Sequence, residues 1–149
     1  MYDWANSPYS LVVTTAIFPI YFNALTSDRN EAGEIINDVV TFFGFELINT
    51  QLYSYVLACS FLVVIILSPL LSGIADVSGR KLQLMKVFCY AGSLGCIGLY
   101  AFDPTHLEWS MTALFLANIG FWGSLGFYNA FLPEIAPPEE HDKLSATGF

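Results

Sequence analysis

The sequence predicts an all-α integral membrane protein with four transmembrane helices. Of its 149 residues, 55% are hydrophobic and only 12% are charged, whereas charged residues make up about 25% of an average soluble domain. The charged residues are also clustered, which leaves four long stretches with almost none of them. An apolar stretch of about 20 residues forms a helix that is long enough to cross the hydrocarbon core of a bilayer.

The four predicted spans differ in their internal features. In chain order they are residues 6–25, 52–75, 84–102 and 111–132. Pro19 is expected to kink the first span, because its ring removes a backbone hydrogen bond. The third span is rich in small residues, and Ala91 and Gly95, four residues apart, permit close packing of a neighbouring helix.

The connections between the spans are polar. Residues 26–50 form an acidic connection in which Ile35, Ile36, Val39, Val40 and Phe43 recur at helical spacing. This spacing predicts a short amphipathic helix on the membrane surface, and an ordinary flexible loop is the alternative. Residues 76–83 form a short loop, residues 103–105 a turn, and residues 133–149 a Pro-rich tail.

The distribution of cations predicts the orientation. Arg80, Lys81 and Lys86 flank the second connection, and Lys143 lies in the tail, whereas Arg29 alone lies on the other side. Because cytoplasmic loops carry an excess of Lys and Arg, the N-terminus, residues 76–83 and the tail are expected in the cytoplasm. In a bacterium the host bilayer would be the plasma (inner) membrane.

Several classes of function are not supported by the composition. The net charge of −8 arises mainly in the loops and does not indicate a nucleic-acid partner. Cys59, Cys89 and Cys96 lie in apolar stretches without metal-ligand spacing, and His106 and His141 fall in loops on opposite sides of the predicted membrane. We therefore expect no enzyme, no metal site and no cofactor.

Residues 67–81, LSPLLSGIADVSGRK, join the second span to the third and contain a motif. Gly79 supplies the free φ that so short a turn needs. The motif resembles the loop between the second and third helices of major facilitator transporters, which reads Gly, three residues, Asp, Arg, one residue, Gly, Arg, Lys or Arg. Ser72 stands where the first Gly is usual and Val77 where an Arg is usual, so one ionic contact is missing. The matching or small residues are Ser72, Gly73, Asp76, Gly79, Arg80 and Lys81.

Two longer tracts narrow the resemblance. Residues 2–22, YDWANSPYSLVVTTAIFPIYF, and residues 121–149, FWGSLGFYNAFLPEIAPPEEHDKLSATGF, are similar to the branch that includes the yeast vacuolar amino-acid effluxer and its bacterial relatives. The family fold has twelve helices in two halves, each half built from two three-helix repeats. The resemblance thus implies a fragment with one repeat and the first helix of the next. The N-terminus is expected to be incomplete, and eight further spans of the same transporter are expected partners.

The function that this resemblance implies is secondary active transport of a small solute by alternating access, with amino-acid efflux as the first candidate. A different class of function stays open, namely a non-transporting four-helix membrane module that acts as an anchor or partner subunit. A reading frame with eight more spans would favour the carrier, and a true stop after Phe149 would favour the module.

In the family the solute lies near the midplane and is reached by the first and fourth helices. The positions that map there are Thr14, Thr15, Asn118 and Trp122. Polar groups in hydrocarbon are costly, so they tend to face a cavity or another helix. The alternative is that the threonines bond to their own backbone and that Asn118 bonds to a neighbouring helix.

A second group of residues is expected near the cytoplasmic face. Asp3, Asn6, Tyr128 and Asn129 would serve a gate or vestibule, although Asp3 also suits a helix N-cap. In the family the motif Arg commonly pairs with an acid at the end of the fourth helix, which implies a pair between Arg80 and Glu134. Asp76 is expected to meet the N-terminal amides of a helix in the other half. Alternatively, Arg80 only anchors the loop among lipid phosphates.

Overall fold

The computed structural model describes residues 2–130, with side chains from Asn6 onward, and the structure is mostly helical. Its helices are α1 (Tyr2–Tyr9), α2 (Ile17–Thr26), α3 (Asn49–Ser78), α4 (Lys81–Tyr100) and α5 (Leu107–Ala130), with a π-helical segment (Ser10–Thr15) between α1 and α2. Four helical stretches are long and apolar enough to cross a membrane, which confirms the predicted fold class. We call them the first to fourth spans: Asn6–Thr26, Asn49–Ser78, Lys81–Tyr100 and Pro104–Ala130. The predicted tail, residues 133–149, lies outside the described residues.

The fourth span lies at the centre of the bundle. In its most apolar window 56% of the residues are buried, compared with 11%, 6% and 11% in the first, second and third spans. The core contains aromatic residues of the first span and aliphatic residues of the second and fourth. Its buried members are Phe18, Phe22, Leu52, Val56, Leu107, Met111 and Leu114. The other three spans therefore pack around the fourth and expose most of their apolar surface.

Small residues bring the third and fourth spans into close contact. A methyl group placed on Gly95 would overlap the backbone of Ala117, and one on Gly92 would lie 3.2 Å from the carbonyl carbon of Gly120. Backbones that approach this closely gain many van der Waals contacts, which is how helices associate in lipid. The close packing predicted for the third span is present, but its contact face carries Gly92 and Gly95 rather than Ala91 and Gly95.

Residues 28–48 form two β-hairpins, so the prediction of an amphipathic helix was wrong. Strand β1 (Asp28–Arg29) pairs with β2 (Ile35–Asn37), and β3 (Val39–Phe42) pairs with β4 (Phe45–Ile48), both antiparallel. Phe43 and Gly44 have positive φ angles of 48° and 84°. Two such residues make the type I′ turn that joins tightly paired strands. The apolar residues Val40, Phe42 and Leu47 pack against the core, which fixes the register of the second hairpin.

The connections between the later spans are short. Helix α3 ends at Gly79, whose φ of 65° is left-handed, as predicted from its position. Because α4 already begins at Lys81, the loop is shorter than the expected residues 76–83. The turn before the fourth span is capped by Asp103, which accepts a hydrogen bond of 2.8 Å from the Thr105 amide. Hydrogen bonds from the Thr105 side chain and amide hold the pKa of the Asp103 carboxyl below its usual range.

Candidate functional site

The first span is broken near its middle. In the π-helical segment Ser10–Thr15 the backbone is wider than in an α-helix, and the Ala16 amide donates to the Leu11 carbonyl at 2.9 Å, five residues back. Ala16 itself has non-helical angles of φ −125° and ψ −63°. Pro19, in the first turn of α2, has no amide hydrogen to donate to the preceding turn. The predicted interruption thus lies just before Pro19, at the junction between the π-helical segment and α2.

A tyrosine of the second span covers the break. The Tyr53 hydroxyl lies 3.1 Å from the Val13 carbonyl oxygen and 3.0 Å from the Thr14 carbonyl oxygen. Its ring packs beside Phe18 and Phe22, with centroid separations of 6.2 and 6.1 Å. In an apolar medium a backbone carbonyl needs a donor, so this hydroxyl supplies what the broken helix lacks. Sequence reasoning missed Tyr53, because its partners are about 40 residues away in the chain and no motif links them.

The two candidate threonines of the first span differ in environment. The Thr15 side chain is exposed, and its hydroxyl donates to the Ser10 carbonyl of the same helix at 2.8 Å. The Thr14 hydroxyl is buried and has no hydrogen-bond partner among the described residues. Of the pair, Thr14 is therefore the group available to a ligand.

The two candidates on the fourth span lie one turn apart. Asn118 is fully buried, and its side-chain nitrogen donates to the Leu114 carbonyl at 3.1 Å, which leaves the amide oxygen without a partner in the described part of the chain. The indole N–H of Trp122 is likewise buried and unpartnered there. The Trp122 ring packs against Phe61 of the second span, with centroids 5.4 Å apart. Both side chains thus offer one free hydrogen-bonding atom inside the bundle.

The start of the first span rests on the fourth span. The Tyr9 ring stacks on Phe121 with a centroid separation of 4.3 Å. The Tyr9 hydroxyl and the Asn6 side-chain nitrogen are buried without a partner among residues 6–130. Both residues line a cavity of about 360 Å³ between the first, third and fourth spans, which Gly92 and Gly120 also line. Buried polar atoms are nearly always paired in folded proteins, so these atoms need a ligand, water or another part of the protein.

The loop motif makes a local ion pair. Asp76 Oδ1 lies 2.7 Å from Lys81 Nζ, with Lys81 19% and Asp76 61% exposed. Asp76 thus pairs with Lys81 within this region, and its expected contact with a helix of the other half stays a prediction. Gly73 faces open space within the described region, so none of these four spans packs closely against it. Arg80 is exposed.

The remaining predicted positions are only partly described. Ser72 is half-buried near the end of the second span, and Asn129 is exposed near the end of the fourth. Glu134 and the side chain of Asp3 lie outside the described residues. The predicted pair between Arg80 and Glu134 and the gating role of Asp3 therefore stay predictions.

A buried asparagine ties the first two spans together on the hairpin side, and sequence reasoning missed it. Asn49 is fully buried, and its side-chain nitrogen donates to the hydroxyl oxygens of Thr26 and Ser27, both at 2.9 Å. Its backbone amide donates to the Asp38 carbonyl at 2.9 Å. The network fixes the second half of the first span against the start of the second. The contact could not be predicted because residues 28–48 separate Asn49 from Thr26, and their folding into hairpins was not expected.

The chemistry on offer is hydrogen bonding by uncharged groups. Hydroxyl, amide and indole groups are collected on the first and fourth spans, namely those of Asn6, Tyr9, Thr14, Asn118 and Trp122. Across the described residues, no group of three or more His, Cys, Asp or Glu side chains is placed to hold a metal ion. Each of these groups can form a hydrogen bond with a polar ligand.

Comparison with known proteins gives two matches. Residues 1–147 match the sequence profile of the family described as "Vacuole effluxer Atg22 like". The chain is 34% identical over 151 residues to an uncharacterized MFS-type transporter, YxiO, of Bacillus subtilis (strain 168). That match covers 100% of this chain and 32% of the relative, so the chain spans about a third of the length of the relative. No solved structure matches the chain.

Proposed function

Because the chain belongs to the Atg22-like vacuole effluxer family of MFS-type membrane transporters, we propose that it forms part of a secondary active carrier that moves a small solute by alternating access. The chain has four apolar helices and spans 32% of its relative, so the carrier is completed by the remaining spans. In this proposal the first and fourth spans supply the solute-binding groups of their half.

The observation that carries this proposal is the set of unpartnered polar atoms on the first and fourth spans. The Thr14 hydroxyl, the Asn118 oxygen and the Trp122 indole N–H are buried and unpaired among the described residues, and they lie on the two helices that the family resemblance selects. Polar groups in membrane helices commonly mark substrate pathways. A solute that bears both donors and acceptors would satisfy all three atoms.

An amino acid is the first solute class that we propose. Its carboxylate accepts hydrogen bonds, as the indole N–H requires, and its ammonium donates them, as the amide oxygen requires. The predicted solute positions, Thr14, Thr15, Asn118 and Trp122, are all uncharged, which suits a solute without net charge.

A fully buried Asn118 also supports alternating access. It is 0% exposed in this conformation, and the stack of Tyr9 on Phe121 lies one turn further along the fourth span. In this proposal the start of the first span moves away to let a solute reach Asn118. The proposed carrier therefore has a closed state, in which Asn118 is buried, and an open state.

A non-transporting membrane module explains the same atoms less well. An unpaired buried polar group costs about 1–3 kcal/mol. A module that only anchors a partner would need that partner to pair several such groups inside its apolar helices, whereas a carrier recovers the cost when its solute binds.

Counterflow in proteoliposomes tests the proposal. The full-length carrier is reconstituted, loaded with unlabelled amino acids, and assayed for uptake of labelled ones. We expect saturable uptake, and Asn118→Ala should lower apparent affinity about 3-fold to 10-fold through the loss of one hydrogen bond. Thr112→Ala is the matched control, since its exposed hydroxyl donates only to the Glu108 carbonyl of its own helix.

Two results would count against the proposal. No counterflow by the wild-type carrier with any small polar solute would contradict transport and favour the membrane module. Normal uptake kinetics in Asn118→Ala would assign Asn118 to helix packing and remove it from the solute pathway.

A further inference from the structure

The two arms of the first span, on either side of its break, are held very differently. The second arm, α2, buries Phe18 and Phe22 in the core and is tied through Thr26 to the buried Asn49. The first arm, α1 with the π-helical segment, contains no buried residue in that segment, and Leu11 is 60% exposed. One arm is therefore anchored to the bundle and the other rests on its surface.

The break has the features of a hinge. A π-helical segment, a residue with non-helical angles at Ala16 and a proline three residues later fall within ten residues. Each of these weakens the hydrogen-bond ladder of a helix locally and allows a change of direction there. Motion of the first arm would separate Tyr9 from Phe121, which lies one turn from Asn118 on the fourth span.

Tyr53 acts on the hinge directly. Its hydroxyl lies within hydrogen-bond distance of two carbonyl oxygens, those of Val13 and Thr14, but it has one proton to donate. One carbonyl is therefore left weakly bound in this conformation, and exchange of the proton between the two needs only a rotation of the hydroxyl. The bond joins the first arm to the second span beside the Thr14 side chain.

We propose that the break in the first span is a hinge for its N-terminal arm, and that Tyr53 is the positioning residue that holds this hinge in the closed conformation. The role of the hinge, which is to open and close access to Asn118, rests on the proposed transport function. The hinge itself is a property of the described residues.

Distance measurements between spin labels test the hinge without any solute. The full-length protein in nanodiscs, with its native cysteines replaced, carries Leu94→Cys on the third span as a fixed reference. The second label is Leu11→Cys on the first arm or Leu25→Cys on the second arm; all three positions are exposed. Tyr53→Phe removes only the hydroxyl, and Tyr55→Phe, an exposed tyrosine on the same helix, is the matched control.

We expect Tyr53→Phe to broaden or shift the Leu11–Leu94 distances by several ångströms and to leave the Leu25–Leu94 distances unchanged. Tyr55→Phe should change neither. Unchanged distances for both pairs, or equal changes in both, would overturn the proposal, since the first result means no hinge and the second means general loosening.

If Tyr53→Phe folds poorly, a second variant tests the hinge independently. Pro19→Ala restores an amide donor and should straighten the break, which narrows the Leu11–Leu94 distribution. A distribution as wide as that of the unmodified protein would overturn the hinge. Absence of counterflow by the unmodified carrier, when the labelled arms behave as expected, would contradict the transport proposal alone.

Discussion

Among the individual residues, those with an unpaired polar atom buried in the apolar spans matter most for ligand binding. Leaving one such atom unpaired costs about 1–3 kcal/mol, and the described residues contain five of them, on the first and fourth spans. By contrast, the pair of Lys81 with the exposed Asp76 is partly open to solvent, and surface pairs are worth about 0–1 kcal/mol. The buried atoms, rather than the surface charges, are therefore where ligand binding would change the energy most.

The loop motif gives a prediction about Arg80. Because Asp76 already meets Lys81, Arg80 is left for another acid, and Glu134 is the first acid in the sequence after the fourth span. A pair between them would hold the second and fourth spans together and favour one state of the carrier. We expect Arg80→Glu to lower the transport rate of the full-length carrier by up to about 5-fold, as a loss of about 1 kcal/mol implies.

Charge exchange separates this pair from simple anchoring among lipid phosphates. The double variant Arg80→Glu with Glu134→Arg should recover part of the transport rate at equal expression. Lys86→Glu with Glu134→Arg is the mismatched control and should recover nothing. If the Arg80 exchange transports no faster than either single variant, the pair does not exist.

The sequence predicts some residue properties and not others, for physical reasons. The left-handed φ of Gly79 follows from a local need, the end of a helix in a short turn, and local needs are visible in sequence. The contacts of Tyr53 with Val13 and Thr14 depend on how two spans lie against each other. No local pattern encodes that placement, so the residue resembled any other tyrosine near the end of a span.

Among the secondary-structure elements, the hairpins show why the spacing of apolar residues alone can predict the wrong element. The apolar residues of 35–43 fit a helical period, but most are β-branched, and Gly33 and Gly44 take the positive φ of turns. Phe43 and Gly44 stand between two short runs that pair strand to strand. The two-residue turn at Phe43 and Gly44 favours a β-hairpin, and here it is a better guide to the structure than a helical period found over only nine residues.

The close contact between the third and fourth spans predicts that a larger residue at Gly95 destabilises the protein. Gly95→Ala places a methyl group against the backbone of Ala117, which must shift, and overpacking of this kind costs roughly 1–3 kcal/mol. We expect a lower Tm for the solubilised protein. Gly126→Ala is the matched control, since its nearest neighbour outside its own helix would be the Ser68 hydroxyl at 4.0 Å.

The two glycine variants should therefore change stability in opposite directions or by clearly different amounts. Alanine is the better helix former, so Gly126→Ala should leave Tm unchanged or raise it slightly. Equal Tm values for the two variants, measured by thermal loss of the monodisperse peak in size-exclusion chromatography, would show that the spans are not closely packed at Gly95.

At the scale of the whole molecule, length and composition predicted the number of apolar helices, and two tracts predicted the family. The arrangement of the four spans in the bundle could not be predicted, because an apolar composition does not indicate which face of a helix contacts which neighbour. The centre of the bundle is the fourth span, and the first three expose most of their apolar surface. In our proposal that surface meets lipid and the remaining spans of the carrier.

We predict that these four helices cross the membrane in alternate directions, with the Arg80 loop in the cytoplasm. Labelling of single cysteines with a membrane-impermeant maleimide tests it directly, in a protein whose native cysteines have been replaced. Asp28→Cys and Thr105→Cys should react in intact cells, and Ser78→Cys only after permeabilisation, because Arg80, Lys81 and Lys86 favour the cytoplasmic side. Reaction of Ser78→Cys in intact cells, with Asp28→Cys protected, would contradict the account.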